Sequence, residues 1–577
     1  MKNFISLISF TIFALIAFNN SPAQNLPHYM TEEEQKIYKS YTPPGFGTEE
    51  TNPPYSPVRT TAEWEEVQAI MVTWTSYTSI LAQIVDYVQD ECVCVIVCSD
   101  SNSVKSQLTS YGVPHVNLRF LIRSFNSVWC RDYGQWNAYT YDIDSLKMID
   151  WVYNRPRPLD DQIPVYIAQM YNTPLHQAIA SPYDFTATGG NFMVDGHGTG
   201  FSSKLILNEN PSKTEAQIDT IAKKFMGLSR YIKMNTLPYD GIHHIDMHMK
   251  LLDEETLLVG QYPNGVSDGP QIEYNLNYVL SNFQTCFGKP YKVVRIPMPP
   301  SSSGQYPPNS SYYTYTNSLI VNKTVIVPIY GFSMDTTALR IYREAMPGYR
   351  VVGINCSGMI SASGAVHCIT KEIGVYDPLF ISHSGLRNTD NTTTPYEVKA
   401  SIKSKAGIQN AKIYWRTDTT SAYSEINMTN IADTFKAYIP AQPLNMTVYY
   451  YISATSNSNK TTSKPYTAPA GYFKFAVTTT TAINNETENA RQYKLYQNYP
   501  NPFNPITKIK FELLKSGYTS LIVYDVMGRE VERLYDKKSE AGIFEVEFNG
   551  SELSSGIYFY KLTSGGFTDI KKLMLLK

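Results

Sequence analysis

Short apolar runs alternate with amphipathic ones from Val58 to Glu372. AIMVTW (Ala69–Trp74) and CVCVIVC (Cys92–Cys98) have the length and composition of buried strands, and between them ILAQIVDYV (Ile80–Val88) places its apolar residues at helical spacing. SLIVNKTVIVPIYG (Ser318–Gly331) and YRVVGINC (Tyr349–Cys356) repeat the strand signal. The alternation predicts layered α/β units around one core over residues 58–373. From 374 to 477 the helical period disappears. YEVKASIKS, AKIYWRT, TFKAYIP, TVYYYISATS and YFKFAV are short strand patterns between Asn/Ser/Thr/Asp turns, which predicts an immunoglobulin-like β-sandwich. Residues 478–492 form a polar linker (TTTTAINNETENA). A second all-β module follows over 493–577. There KIKFEL alternates like a strand with one buried face, and SLIVYDVMGREVERL reads as strand, Met-Gly turn and strand.

The N-terminus has a different pattern. Lys2 precedes an almost wholly apolar or hydroxylic run from Phe4 to Phe18, and Ser21-Pro22-Ala23 supplies small residues for cleavage. This predicts a secretory signal peptide over 1–23, too short to span a bilayer. Residues 24–57, rich in Pro, Thr, Glu and Tyr, read as a pro-segment or an exposed lead-in. No later stretch is long and apolar enough for a transmembrane span in the mature protein.

Composition narrows the function. A chain of 577 residues implies three or more domains. Lys+Arg 49 against Asp+Glu 51 leaves a net charge of −2, without the basic surface a nucleic-acid partner requires. Seven cysteines, an odd number in an exported protein, leave at least one thiol without an intrachain partner. Cys92, Cys94 and Cys98 lie too close along one strand to bridge each other and read as small core residues.

Three separated segments carry candidate chemistry: Trp129-Cys130-Arg131-Asp132, His243-His244-Ile245-Asp246, and His367-Cys368 after the Gly/Ser-rich CSGMISASG. Two carboxylates, one imidazole and one thiol are the set required to hydrolyse a planar cation such as a guanidinium. Carboxylates grip its N–H fork, the thiolate attacks its central carbon, and the imidazole protonates departing ammonia and then activates water. The residues alone leave other readings open. The polar residues could be structural, Cys368 could be a small core residue, and His243, Asp246 and His248 could ligate zinc.

The neighbourhoods of Asp132, His244, Asp246 and Cys368, in this order, resemble the bacterial peptidylarginine deiminase and agmatine deiminase superfamily, in particular its secreted Porphyromonas-type members. TGGNFMVDGHGTG (Thr188–Gly200), YTNSLIVN (Tyr315–Asn322) and AMPGYRVVGI (Ala345–Ile354) support the resemblance. It implies a five-fold pseudosymmetric α/β propeller, the guanidino-group-modifying fold, followed by the two all-β sandwich modules. It also implies Cys368 as nucleophile, Asp132 and Asp246 as guanidinium clamps, and His244 as general acid and then base, with no metal or other cofactor. Arg155 and Arg157, in the Pro-braced NRPRP segment, would bind the backbone and terminal carboxylate of an arginine peptide. Trp129 would wall the pocket, and Asn317 would hydrogen-bond near the reacting group. Two alternatives are a secreted deiminase of agmatine or another small guanidine, and a non-catalytic surface protein that binds arginine peptides. The glycine-rich Thr188–Gly200 stretch lacks the Gly-Lys-Ser/Thr ending of a phosphate loop and is expected to form tight turns beside the site.

At the other end, YQNYPNPFNPITKIKFEL, VYDVMGREV, LSSGIYFYKL and the basic KKLMLLK resemble a type IX secretion C-terminal sorting domain. The resemblance implies the type IX machinery as a partner and export through the outer membrane, to a secreted or surface-attached state.

Overall fold

A computed structural model of the chain describes residues 26–38, 40–41, 51–431, 434–478 and 493–576. The expected signal peptide, and the expected linker beyond residue 478, lie outside the described residues. The chain divides into two compact units. One comprises Met1–Leu386, Tyr396–Ile439 and Tyr449–Lys474, and the other Arg387–Pro395, Pro440–Val448 and Phe475–Lys577.

The first unit holds five small sheets of one topology. In each, a leading strand runs antiparallel to a central strand, and a crossover helix then leads to a third strand parallel to the central one. The first module uses Lys371–Gly374, Val67–Thr73 and Val93–Cys98, with helix Thr78–Gln89 and a further strand Leu118–Ile122. The second uses Trp136–Thr140, Leu146–Tyr153 and Leu175–Ala178, with helix Ile163–Met170. The third uses Met193–Val194, Thr199–Ser203 and Arg230–Met234, with helix Glu215–Met226. The fourth uses Met249–Leu251, Thr256–Gln261 and Lys292–Pro297, with helix Gly269–Asn282. The fifth uses Leu319–Val321, Thr324–Ile329 and Arg350–Asn355, with helix Ser333–Ala345. This is the five-fold α/β propeller.

The local sequence explains the repeat. Central strands such as Val67–Thr73 and Val93–Cys98 are nearly continuous apolar runs because both of their faces are covered. Helix Thr78–Gln89 buries Ile80, Leu81, Ile84, Val85 and Val88, one stripe at helical spacing. Cys94 and Cys98 are core residues, and all seven cysteines are free. The first module is completed from the far end of the catalytic sequence, where Lys371 pairs with Met71 and Glu372 with Ile70.

Beyond the propeller, Phe380–Ser382, Tyr396–Lys403, Thr434–Ile439 and Thr429–Ile431 form one antiparallel sheet. Ile408–Arg416 pairs with Ser424–Asn427 on one side and with Met446–Ser456 on the other. Burial alternates along Tyr396–Lys403, as expected of a sandwich strand.

In the second unit, Ile506–Leu513 exposes Lys508 and Lys510 and buries Ile509 and Phe511. Gly517–Tyr524 and Glu530–Ser539 flank the Met527-Gly528 turn, and Gly556–Ser564 and Phe567–Leu575 complete that sheet. Among the described residues, no helix is long and apolar enough to cross a membrane.

Candidate active site

In all five modules the residues of interest lie in the turn just before the leading strand. Asp132 is on the one-turn helix Cys130–Tyr133, and Gly190 is in the 3-10 turn Gly189–Asn191. His244 caps the turn Ile245–Met247, which carries Asp246. Asn317 precedes Leu319, and His367 and Cys368 open the turn His367–Ile369. Equivalent turns of one repeated fold thus deliver different side chains to one place.

The separations show the convergence. Asn317 Nδ2 lies 3.1 Å from Cys368 Sγ, and Asp246 Oδ2 lies 3.9 Å from the same sulfur. His244 Nδ1 is 3.8 Å from Asp132 Oδ1, which accepts from Gly190 N at 3.2 Å. Gly190 has no side chain for a steric reason: a Cβ there would meet His244 Nδ1 at 2.4 Å. A Cβ at Gly364 would meet the Trp129 ring at 2.4 Å, so the Gly/Ser-rich stretch lets the indole approach Cys368.

Burial sets the electrostatics. It pushes the Cys368 thiol well above its ordinary pKa, and the charges of Asp246 and Asp132 push it further. Burial also lowers His244 to about 4, against the pull of Asp132. Burial alone would raise the Asp132 carboxyl, but the imidazoles of His28 and His244 outweigh it and hold that carboxyl below its usual range. Two buried polar atoms beside the thiol have no hydrogen-bond partner: Asp246 Oδ1 and His244 Nδ1. An unpaired carboxylate oxygen in a desolvated site is costly, and a hydrogen-bond donor placed there would relieve that cost.

A second layer holds Asp246. His367 Nδ1 donates to Asp246 Oδ2 at 2.7 Å, and His367 Nε2 meets Glu63 Oε2 at 3.1 Å. Glu63 is also bound by Lys250 Nζ at 2.7 Å. Beneath Asp132, Arg131 Nη1 contacts both oxygens of Glu372, at 2.8 and 2.7 Å, and Arg131 Nε donates to His367 O.

Part of the polar lead-in is packed on this site rather than exposed. His28 is fully buried, its Nε2 hydrogen-bonded to Asp132 Oδ2. Its ring stacks on Trp129 with centroids 4.4 Å apart and meets His244 edge-on at 4.8 Å. Arg155 Nε donates to His28 O at 3.1 Å, and Arg157 Nε to Glu34 Oε1 at 2.7 Å.

The structure therefore brings Cys368, His244, Asp132, Asp246, Asn317 and Trp129 together, with Arg155 and Arg157 bound to the lead-in that covers them. Among the described residues, His243, Asp246 and His248 do not gather as a metal-ligand set; the group that gathers is His28, Asp132 and His244. His248 is buried without a ring partner, and burial lowers it to about 4. Sequence reasoning passed over His367 as a supporting residue, and also Glu63, Gly190, His28 and Glu34. The last had a readable signal: Thr31-Glu32-Glu33-Glu34 is a capping box, in which Thr31 N donates to Glu34 Oε2 and Glu34 N to Thr31 Oγ1.

Known proteins similar to this chain point to one family. Residues 59–373 match a family model described as Porphyromonas-type peptidyl-arginine deiminase. Residues 497–576 match a secretion system C-terminal sorting domain. A Vibrio parahaemolyticus protein named "Putative agmatine deiminase" is 24% identical over 311 residues, which cover 49% of this chain and 83% of its own. A Legionella pneumophila protein of the same name is 24% identical over 279 residues, covering 44% and 75%. The X-ray structure of a further protein so named superposes with a TM-score of 0.50 at 19% identity, over 56% of this chain and 96% of that one. At that identity the likeness concerns the fold.

Proposed function

The chain belongs to the Porphyromonas-type peptidyl-arginine deiminase family, and from that premise we propose that it hydrolyses the guanidinium of peptidyl-arginine, C-terminal arginine above all, to citrulline and ammonia. Its C-terminal sorting domain marks it for export through the outer membrane. The observation that carries the reading is the pairing of one buried thiol with an unpaired carboxylate oxygen. Cys368 Sγ lies 3.9 Å from Asp246, whose Oδ1 has no partner, and Asp132 and His244 complete the set.

The steps follow from the residues. Asp132 and Asp246 accept the N–H groups of the cation and hold its plane against the sulfur. The bound cation also stabilises the Cys368 thiolate, offsetting the burial that keeps the thiol protonated, and the thiol proton passes to His244, which burial otherwise keeps neutral. Thiolate attack on the guanidinium carbon forms the C–S bond and a neutral tetrahedral adduct. Protonated His244 donates its proton to one nitrogen, the C–N bond breaks, and ammonia leaves a cationic S-alkylthiouronium. Neutral His244 then takes a proton from water as its oxygen adds to the same carbon. Collapse breaks the C–S bond and returns the thiolate, and the hydroxyl proton leaves with ammonia as ammonium.

Arg155 and Arg157 favour a peptide over agmatine, because guanidinium forks suit main-chain carbonyls and a carboxylate, and agmatine has neither. The test is citrulline release, in chelator and without added metal, from a peptide ending in arginine, the same peptide amidated, and agmatine. The lead-in is first displaced by the substitutions given in the next subsection. The expected result is turnover of the free-carboxylate peptide that Cys368→Ser abolishes. Turnover of agmatine alone would sink the peptide assignment, and no citrulline from any substrate would sink the deiminase assignment.

A further inference from the structure

We propose that residues 26–38 are an intramolecular pseudosubstrate, which occupies the catalytic centre and the arginine-lined approach to it and keeps the protein latent until displaced. The identity of the blocked reaction rests on the function proposed above; the occlusion itself does not.

Three sets of contacts carry the inference. The first is at the centre. Both ring nitrogens of His28 face acceptors, Nε2 the Asp132 carboxylate and Nδ1 the carbonyl of Ser363 at 2.8 Å. The ring that satisfies both is the doubly protonated imidazolium, a planar delocalised cation like a guanidinium. It lies between the Trp129 face and the His244 edge, on the carboxylate assigned to the substrate.

The second set is along the main chain. Trp129 Nε1 donates to Leu26 O at 2.9 Å, Arg157 Nη2 to Pro27 O at 2.8 Å, and Arg155 Nε to His28 O at 3.1 Å. His28 N in turn donates to Ala362 O at 3.0 Å. The site reads consecutive peptide groups of its own chain, as it would those of a bound peptide.

The third set is a carboxylate. Glu34, fixed by the capping box at the start of helix Glu32–Tyr38, meets Arg157 through two hydrogen bonds, Nε–Oε1 at 2.7 Å and Nη2–Oε2 at 3.1 Å. A cation on Asp132 and a carboxylate on Arg157 are the two charges an arginine peptide would bring. Being covalently attached, the segment competes at an effective concentration on the order of millimolar.

The experiment compares the full chain with the full chain carrying His28→Gly and Glu34→Ala. Neither residue belongs to the catalytic machinery. Two readouts are taken: alkylation of Cys368 by iodoacetamide, followed by peptide mass spectrometry with half-buried Cys92 and Cys286 as internal references, and citrulline release from the arginine peptide. A synthetic peptide of residues 26–38 is then added to the double variant, beside a control peptide with glycine at the His28 position. Cys368 should be alkylated at least tenfold faster in the double variant, with a comparable gain in citrulline release. The native peptide should restore protection and the control should not. Equal alkylation of Cys368 in both proteins, with no effect of the peptide, overturns the proposal, as do equal and measurable rates of citrulline release. Faster alkylation without citrulline from either protein upholds the occlusion and removes the deiminase reading instead.

Discussion

The sharpest test of the site is Asp246→Asn, made in the His28→Gly, Glu34→Ala background so that substrate has access. The substitution keeps the shape, removes the charge and replaces one carboxylate oxygen with a donor. One oxygen, Oδ2, already accepts from His367 at 2.7 Å; the other, Oδ1, is unpaired. His367 fixes the amide oxygen on its side, so the new NH2 turns towards the thiol, where the substrate also presents N–H. Breaking one buried, hydrogen-bonded charge pair costs about 2–5 kcal/mol. Taking about 3 kcal/mol, kcat/KM should fall about 150-fold. The same substitution should act on the thiol in the opposite sense. After burial, the Asp246 charge is the next cause of the raised Cys368 pKa, so its removal makes more thiolate at a given pH and speeds alkylation by iodoacetamide. The assays are steady-state citrulline release and the pH profile of Cys368 alkylation. Slower turnover with a more reactive thiol identifies Asp246 as a substrate clamp. A kcat/KM within threefold of the parent would refute that assignment, whatever the thiol does.

Arg157→Ala in the same background should cut turnover of the free-carboxylate peptide at least tenfold, from the loss of a bidentate charge-assisted pair, and change agmatine turnover less than threefold; kcat/KM for both substrates checks it. His367→Gln removes the imidazole that bridges Asp246 and Glu63; losing one hydrogen bond to a charged group, about 1.5–3 kcal/mol, should lower kcat/KM about 10- to 150-fold, with KM rising because the carboxylate is no longer aimed. Glu372→Gln breaks the buried pair with Arg131 and should cost about 3–5 kcal/mol, read from urea midpoints. Burial would raise the Glu372 carboxyl, but Arg131 and Lys371 hold it at about 2. Its stabilisation is therefore complete above the ordinary carboxylate pKa and is lost as pH falls from there towards 2, so the gap between parent and variant should narrow over that interval.

The fold was legible where period and length coincide. The helix at Ile80–Val88 and the strand in CVCVIVC needed no tertiary information, because both are almost wholly buried and carry the full apolar signal. The five-fold repeat was not legible, because the modules share topology but not sequence. Their site-bearing turns read Cys-Arg-Asp, Gly-Gly-Asn, His-Ile-Asp, Tyr-Thr-Asn and His-Cys, and each brings a different side chain to the site. The catalytic candidates surfaced as the two carboxylates, imidazole and thiol that guanidinium hydrolysis needs, and their roles came from the family resemblance. Glu63 and Gly190 did not, since a lone Glu resembles a solvated surface residue, and the need for glycine shows only when His244 lies against it. His28 carried no periodicity at all; its burial depends wholly on a surface formed by residues distant in sequence.

Ring closure has a consequence for the order of assembly. The strand Lys371–Gly374, which completes the first module, follows Cys368 by three residues and pairs with Val67–Thr73 at the opposite end of the catalytic sequence. Cys368 thus reaches the carboxylates only after the other four modules have been synthesised and the longest-range strand pairing of the propeller has formed, a slow kind of contact for a folding chain to make. A ribosome that stops before residue 368 releases a polypeptide with Asp132 and Asp246 but without Cys368. One that finishes releases a chain whose reactive centre matures last. Closure of the ring therefore makes completion of the site a late event in folding, whatever covers the site afterwards.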